Sequence, residues 1–265
     1  PANSFVFVRG IGTQGNVLAF ESSVALFVDG VYGGRNRQLQ NPPFLDVARV
    51  EVLRGPQGAL FGRNTSAGAV SVTTARPTAE PEAWLQADYE FEYGARALTG
   101  VVSGPAAGAR WRLAARATDD PGYLENLGLG RDEPGRQDRL ARLSVEAQPL
   151  PALDLYARLD YGDTDLEGSP FEFVPAGGRP RLRKDTDDGL APERDDSRSL
   201  DAMLQADWHE RDHTVTAILA RTTFRYENAI NIQARAPTRL VVENGEDFRQ
   251  DSLELRWLSP SGGPL

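Results

Sequence analysis

The sequence predicts a mainly β protein, with a small mixed α/β domain followed by antiparallel strands of the kind that cross a membrane as a β-barrel. Three observations carry that reading. Residues 1–76 are glycine-rich and hold short, continuous apolar runs, whereas from Ala83 onward apolar and polar residues alternate. Between the alternating segments, short and long connections follow one another in turn.

The short runs are Phe5–Val8, Val24–Val28, Val47–Leu53 and Val70–Thr74. Continuous apolar runs of this length suit strands covered on both faces, as in a small mixed sheet. The stretch "RPTAEPE" (Arg76–Glu82), with two prolines, reads as a linker. Beyond it the side-chain period is two. Leu153, Leu155, Ala157, Leu159 and Tyr161 oppose Asp154, Arg158 and Asp160, and Leu200, Ala202, Leu204, Ala206 and Trp208 oppose Asp201, Gln205 and Asp207. Trp111, Leu113, Ala115 and Ala117 oppose Arg110, Arg112 and Arg116 in the same way. About eight such segments are expected, near 83–93, 95–103, 109–118, 138–147, 152–162, 200–208, 214–226 and 248–258. Most approach the roughly 9–11 residues that a tilted strand needs to span a bilayer.

A soluble antiparallel sheet also alternates, so the connections decide. "SGPAAG", "QPLP" and "HERDH" are short turns, while Asp119–Gln137, Asp163–Ser199 and Glu227–Asp247 are long, polar and charged. Outer-membrane barrels have that asymmetry, with short turns at one rim and long loops at the other. Tyr89, Phe91, Tyr93, Trp111, Tyr161, Trp208, Tyr226 and Trp257 cluster towards strand ends, where aromatic girdles belong.

Composition narrows the function. With 265 residues and a net charge of -9, the chain lacks the basic face of a nucleic-acid binder. It has no cysteine, which excludes disulfides and thiolate metal sites. No apolar run reaches the roughly 18 residues of a membrane helix, a test to which β-barrels are blind. The chain starts inside a strand pattern and ends at "SPSGGPL", and is expected to be a piece of a longer protein.

Residues 42–77, "PPFLDVARVEVLRGPQGALFGRNTSAGAVSVTTARP", resemble the plug domain of TonB-dependent outer-membrane transporters. "FVRGIG" and "VALFVDGVY" match the segments before it, and "DSLELRWLSP" is similar to a barrel strand of the same family. The resemblance implies a plug over residues 1–76, a linker at 77–82, and the first part of a barrel of about 22 strands from residue 83. It implies TonB-dependent active transport across the bacterial outer membrane, most commonly of a ferric-siderophore complex. Cobalamin, a glycan or an aromatic compound is the alternative cargo. The implied partners are the TonB–ExbB–ExbD energy-coupling complex, through an N-terminal TonB box, outer-membrane lipid and the small-molecule ligand. No cofactor, metal or catalytic residue is implied.

The resemblance also places the segments after "RG" and after "DGVY" at the plug apex, beneath bound ligand. Thr13, Gln14, Asn16, Tyr32, Arg35, Asn36 and Arg37 become candidate ligand contacts, the arginines suiting an anionic solute. Arg9, Glu51, Arg54 and Arg63 can hydrogen-bond to a hydrated lumen wall. By parity Glu254 faces the lumen if Leu253 and Leu255 face lipid, and the family implies that plug arginines meet barrel carboxylates, hence Arg9 or Arg54 with Glu254.

Three motifs suggest other chemistry. "FVFVRGIGTQG" places G-x-G-x-x-G after an apolar run, with Asp29 downstream, the form of a dinucleotide-binding turn in a soluble NAD enzyme. That fold needs a helix after Gly15 and further βαβ units, and "NVLAFESS" allows barely two turns. "HERDH" (His209–His213) matches a zinc motif but joins two alternating strands, so it reads as a charged turn. "GPQGALFGRNTS" lacks the lysine of a phosphate loop, and in "RKDTDDGLAPERDDSRS" arginines interleave with the acids, as in a solvated loop.

Overall fold

Strict alternation from Ala83 onward produces long antiparallel ladders, and the apolar runs before it produce a separate small sheet. In the computed structural model, residues 6–12, 23–33, 44–56, 58, 65–187, 189 and 192–260 are described.

The small sheet contains β1 (Val24–Val28), β2 (Val31–Gly33), β3 (Val47–Arg54) and β4 (Gly68–Thr74), in the order β2-β1-β4-β3. β1 runs parallel to β4, and the other neighbours are antiparallel. β1 and β2 form a hairpin closed by Asp29 and Gly30, whose φ angles of 49° and 83° are both positive. An Asp-Gly pair is the chemistry a two-residue hairpin demands, because its twist matches that of the flanking strands. Val8, Val24, Leu26, Ala67, Val70 and Val72 pack on one face of the sheet; Ala25, Phe27 and Ala69 pack on the other. β3 departs from the expectation of a strand covered on both faces. It is the sheet's edge, and Val50 and Val52 are 46% and 55% exposed. Of the expected Phe5–Val8 run, the described residues 6–8 contribute only a bridge from Val8 to Ile11.

The second sheet is a wall of β5 (Glu82–Tyr89), β6 (Arg96–Ala106), β7 (Ala109–Asp120), β10 (Gly135–Leu150), β11 (Leu153–Glu167), β13 (Arg194–Glu210), β14 (His213–Asn231) and β15 (Val241–Leu258). Each strand pairs antiparallel with the next, and β5 and β15 are open edges. These eight strands answer the eight alternating segments. Turns at 107–108, 151–152 and 211–212 lie at one rim, and residues 90–95, 121–134, 168–193 and 232–240 connect strands at the other. The long connections are shorter than the sequence suggests, since β10, β11, β13, β14 and β15 all run into them. Above the apolar band both faces of a strand are polar, so the ladder persists where the apolar alternation has stopped. Within the connections β8 (Leu124–Asn126), β9 (Arg131–Glu133) and β12 (Arg183–Lys184) form a three-stranded cap, order β12-β8-β9. Lys184 is buried there between Glu133 and Glu193.

The wall has two unlike faces. Leu98, Leu113, Leu143, Leu159, Leu204 and Leu253 are exposed on the outside, while Arg112, Arg142, Ser144, Arg158 and Asp160 are buried on the inside. Trp208 and Trp257 project outward near the short-turn rim, and Tyr89 and Tyr161 near the other. Tyr226 is a correction to the girdle. It faces inward, 2% exposed, and its hydroxyl donates to Asp195 at 2.9 Å, because its β14 register matches that of buried Phe224. No described helix is long and apolar enough to cross a membrane, which says nothing of crossing by strands.

Candidate functional site: the seam between the small sheet and the wall

Two corners of the small sheet meet the inner face of the wall, and at both a charged or polar backbone end meets an arginine. The first corner is the β1–β2 turn. The positive φ of Asp29 turns its carboxylate out of the sheet, where the Thr74 backbone N–H donates to Oδ1 at 2.9 Å and the Thr74 hydroxyl to Oδ2 at 2.8 Å. Arg158 of β11 completes the site by donating through Nη1 to Oδ2. Burial alone would push the Asp29 carboxyl up. The Arg158 charge and the Thr74 hydrogen bonds outweigh it and hold the group below its ordinary value. The Thr74 hydroxyl lies 3.1 Å from the Tyr156 hydroxyl, and the Arg76 guanidinium stacks 3.6 Å over the Tyr156 ring. Glycine suits position 30 because its backbone sits at φ 83°, where a side chain would be strained.

The second corner is the pair of residues before β3. Asp46 takes a bidentate grip from Arg112 of β7, Nε to Oδ2 at 2.6 Å and Nη2 to Oδ1 at 2.8 Å, a geometry that only the planar guanidinium supplies. Arg112 also reaches Glu82 of β5 at 2.9 Å. The Leu45 carbonyl accepts from Arg142 Nη1, and its side chain packs on Val101, Ala114 and Leu140 of the wall. Between the corners Asp160 of β11 ties two arginines together, taking Arg142 Nε on Oδ1 and Arg158 Nε on Oδ2. A cavity of about 40 Å³, lined in part by Val31, Tyr32, Arg158, Asp160, Asp201 and Met203, lies beside them and is roomy and polar enough for water.

This arrangement does no covalent chemistry. It fastens one body to another through a few buried ionic and hydrogen-bonded contacts, in which the loss of one partner leaves a buried charge uncompensated. Among the described residues no group of three or more His, Cys, Asp or Glu is arranged to hold a metal ion. The two histidines of "HERDH" lie across a β-turn. His209 bonds to Asp154 on the inside, while His213 stacks on outward-facing Trp257, so they do not converge.

The residues singled out from the sequence are only partly involved. Tyr32 is at the seam, packing on Phe27 with ring centroids 5.6 Å apart and accepting Gln250 Nε2 on its carbonyl at 3.0 Å. Arg9, with φ 53°, is exposed in the turn between Val8 and Ile11, and Arg54 is exposed at the end of β3. Glu51 pairs with Arg49 of its own strand at 3.3 Å. Glu254 bonds to Arg256 of its own strand rather than to Arg9 or Arg54. Thr13, Gln14, Asn16, Arg35, Asn36, Arg37 and Arg63 lie outside the described residues. The cross-seam ion pairs of Asp29 and Asp46 therefore have the sign opposite to the expected one: carboxylates of the small sheet meet arginines of the wall. Asp29 is also the carboxylate that a dinucleotide reading would give to a ribose, and it is committed to Arg158 and Thr74. Sequence reasoning missed Asp46, Thr74, Arg112, Arg142, Arg158 and Asp160 as contacts. For the wall residues a signal was present, since each is charged at an inward position of an alternating strand.

The family model of the TonB-dependent Receptor Plug Domain matches residues 1–69. Residues 1–69 thus match a TonB-dependent receptor plug domain. The small sheet has the plug's place in the fold and the wall that of barrel strands, an architecture of the bacterial outer membrane. The pesticin receptors of Yersinia pestis and Yersinia enterocolitica are 31% identical over 83 residues, 31% of this chain and 12% of theirs. The ferric yersiniabactin uptake receptor from Yersinia pestis superposes with TM-score 0.73 at 20% identity, covering 91% of this chain and 38% of that one. The pyoverdine outer membrane receptor from Pseudomonas aeruginosa gives 0.71 at 17% identity over 96% and 37%. The ferric preacinetobactin receptor from Acinetobacter baumannii gives 0.69 at 15% identity over 97% and 38%. These three likenesses establish the fold. The chain spans 12% of the length of the curated relatives and 37–38% of these structures.

Proposed function

We propose that the whole receptor performs TonB-dependent uptake of a ferric-siderophore complex across the outer membrane. The observation that carries the reading is the seam. A plug held to the barrel by Asp29–Arg158, Asp46–Arg112 and a few further polar contacts is a body built to be fastened and released. The structural neighbours, receptors for ferric yersiniabactin, pyoverdine and ferric preacinetobactin, support an iron-carrying cargo. Ligand would bind from outside over the plug apex, with Thr13, Gln14, Asn16, Tyr32, Arg35, Asn36 and Arg37 as candidate contacts. Pulling on an N-terminal TonB box by the TonB–ExbB–ExbD complex would then loosen the seam and admit the ligand to the periplasm. No resident cofactor is involved.

The test is uptake by the full-length receptor under iron limitation. Cells expressing it should take up labelled ferric siderophore, and loss of the receptor or of TonB should abolish that uptake. Iron-independent expression with no ferric-siderophore binding overturns the iron reading and leaves uptake of cobalamin, a glycan or an aromatic compound.

A further inference from the structure

We infer that Asp160 couples the two plug anchors, so that release of one loosens the other. Asp160 takes its ion pairs from the barrel wall. Its two oxygens hold two arginines of adjacent barrel strands by their Nε atoms, Arg142 from β10 at 2.5 Å and Arg158 from β11 at 2.7 Å. Each arginine then offers its outer nitrogen to a different plug segment, Arg158 to the Asp29 carboxylate at the hairpin turn and Arg142 to the Leu45 carbonyl ahead of β3. Two corners far apart in sequence thus share one carboxylate.

The chemistry makes the sharing consequential. Asp160 is 2% exposed, and Arg142 and Arg158 are 2% and 6% exposed, so none can exchange a lost partner for bulk water without moving. Asp201 of the neighbouring strand lines the same cavity and adds another carboxylate facing the pair. When Asp29 leaves, Arg158 loses one of its two carboxylate partners and keeps only Asp160, which it shares with Arg142. Its lowest-energy response is to turn further onto Asp160 and Asp201, which draws Asp160 off Arg142 and weakens the grip on Leu45. Contacts in one network do not add, whereas independent contacts do. Asp160 is a positioning residue, and the inference rests on the uptake reading only for its biological use: a pull applied to one corner would unfasten both.

These 265 residues hold no cysteine, so single cysteines can be placed here as reporters in a full-length receptor whose remaining cysteines, if any, are replaced by serine. Met203, 4% exposed, packs with Val31 of the hairpin corner, and Ala114, 0% exposed, lies against Leu45 of the other. Met203→Cys and Ala114→Cys therefore report the two corners separately. Thiol labelling is measured in purified receptor without ligand or TonB, so the result is independent of any uptake assay. Asp29→Asn should speed labelling about tenfold in the Met203→Cys reporter and about threefold in the Ala114→Cys reporter. With Asp160→Asn added, the effect of Asp29→Asn in the Ala114→Cys reporter should vanish. An Asp29→Asn effect confined to the Met203→Cys reporter overturns the proposal without any change at Asp160, so misfolding of the Asp160 variant does not shelter it. An effect in the Ala114→Cys reporter that survives Asp160→Asn in a folded receptor overturns it equally.

Discussion

Along all of β13, from Arg194–Ala229 to Glu210–His213, the barrel wall pairs with β14 without a break. The plug's parallel pair, β1 with β4, matches for only five residues, and the plug meets the wall through side chains. The wall is bound by backbone ladders whose donors and acceptors have nowhere else to go in a membrane. The plug is bound by a few buried charged side chains beside a small cavity. The difference teaches where movement is permitted: a ladder gives way only by breaking many backbone bonds together, whereas the plug is held by a handful of side-chain contacts.

The largest test of that contrast falls on the seam. Asp29→Ala leaves Arg158 buried without its plug partner and should weaken plug docking by about 4 kcal/mol, read as a lowered urea midpoint for plug release at an unchanged barrel transition. The pH dependence has a definite sign. The folded Asp29 is held below its ordinary value of 3.8, so its contribution is complete above that value and is lost as pH falls through the folded one. Docking in the unmodified receptor should therefore be flat from about pH 8 to 5 as far as this group is concerned, and a loss centred above 5 would assign the anchor to another residue.

The next test falls on the wall. Leu204 faces outward and Gln205 inward, one residue apart on β13. Leu204→Arg should destabilise the folded barrel in a bilayer by about 3 kcal/mol, and Gln205→Arg by much less, as measured by denaturant titration of full-length receptor. Equal effects would mean that the faces are misassigned. The smallest effect is expected where plug charge does not touch the wall. Glu51 and Arg49 are largely exposed on the β3 edge, so Glu51→Gln should change plug docking by less than about 0.5 kcal/mol.

Much of the architecture was legible without coordinates. Alternation located all eight wall strands, since a strand with lipid on one side and water on the other must write a period of two into its residues. The β1, β3 and β4 runs were equally plain, because apolar content is a local property. The strand extensions into the loops were not, since a ladder with polar residues on both faces leaves no apolar trace. Nor was the inward turn of Tyr226, which depends on register.

The seam divides the same way. The sequence by itself determined that Arg112, Arg158 and Asp160 stand on the strand faces opposite the apolar residues. Only the tertiary structure decided which plug atoms they would meet, and it set carboxylates of the plug against arginines of the wall. That choice is made by the height and rotation at which one sheet sits inside another, and partners such as Asp29 and Arg158, 129 residues apart, leave no local mark of it.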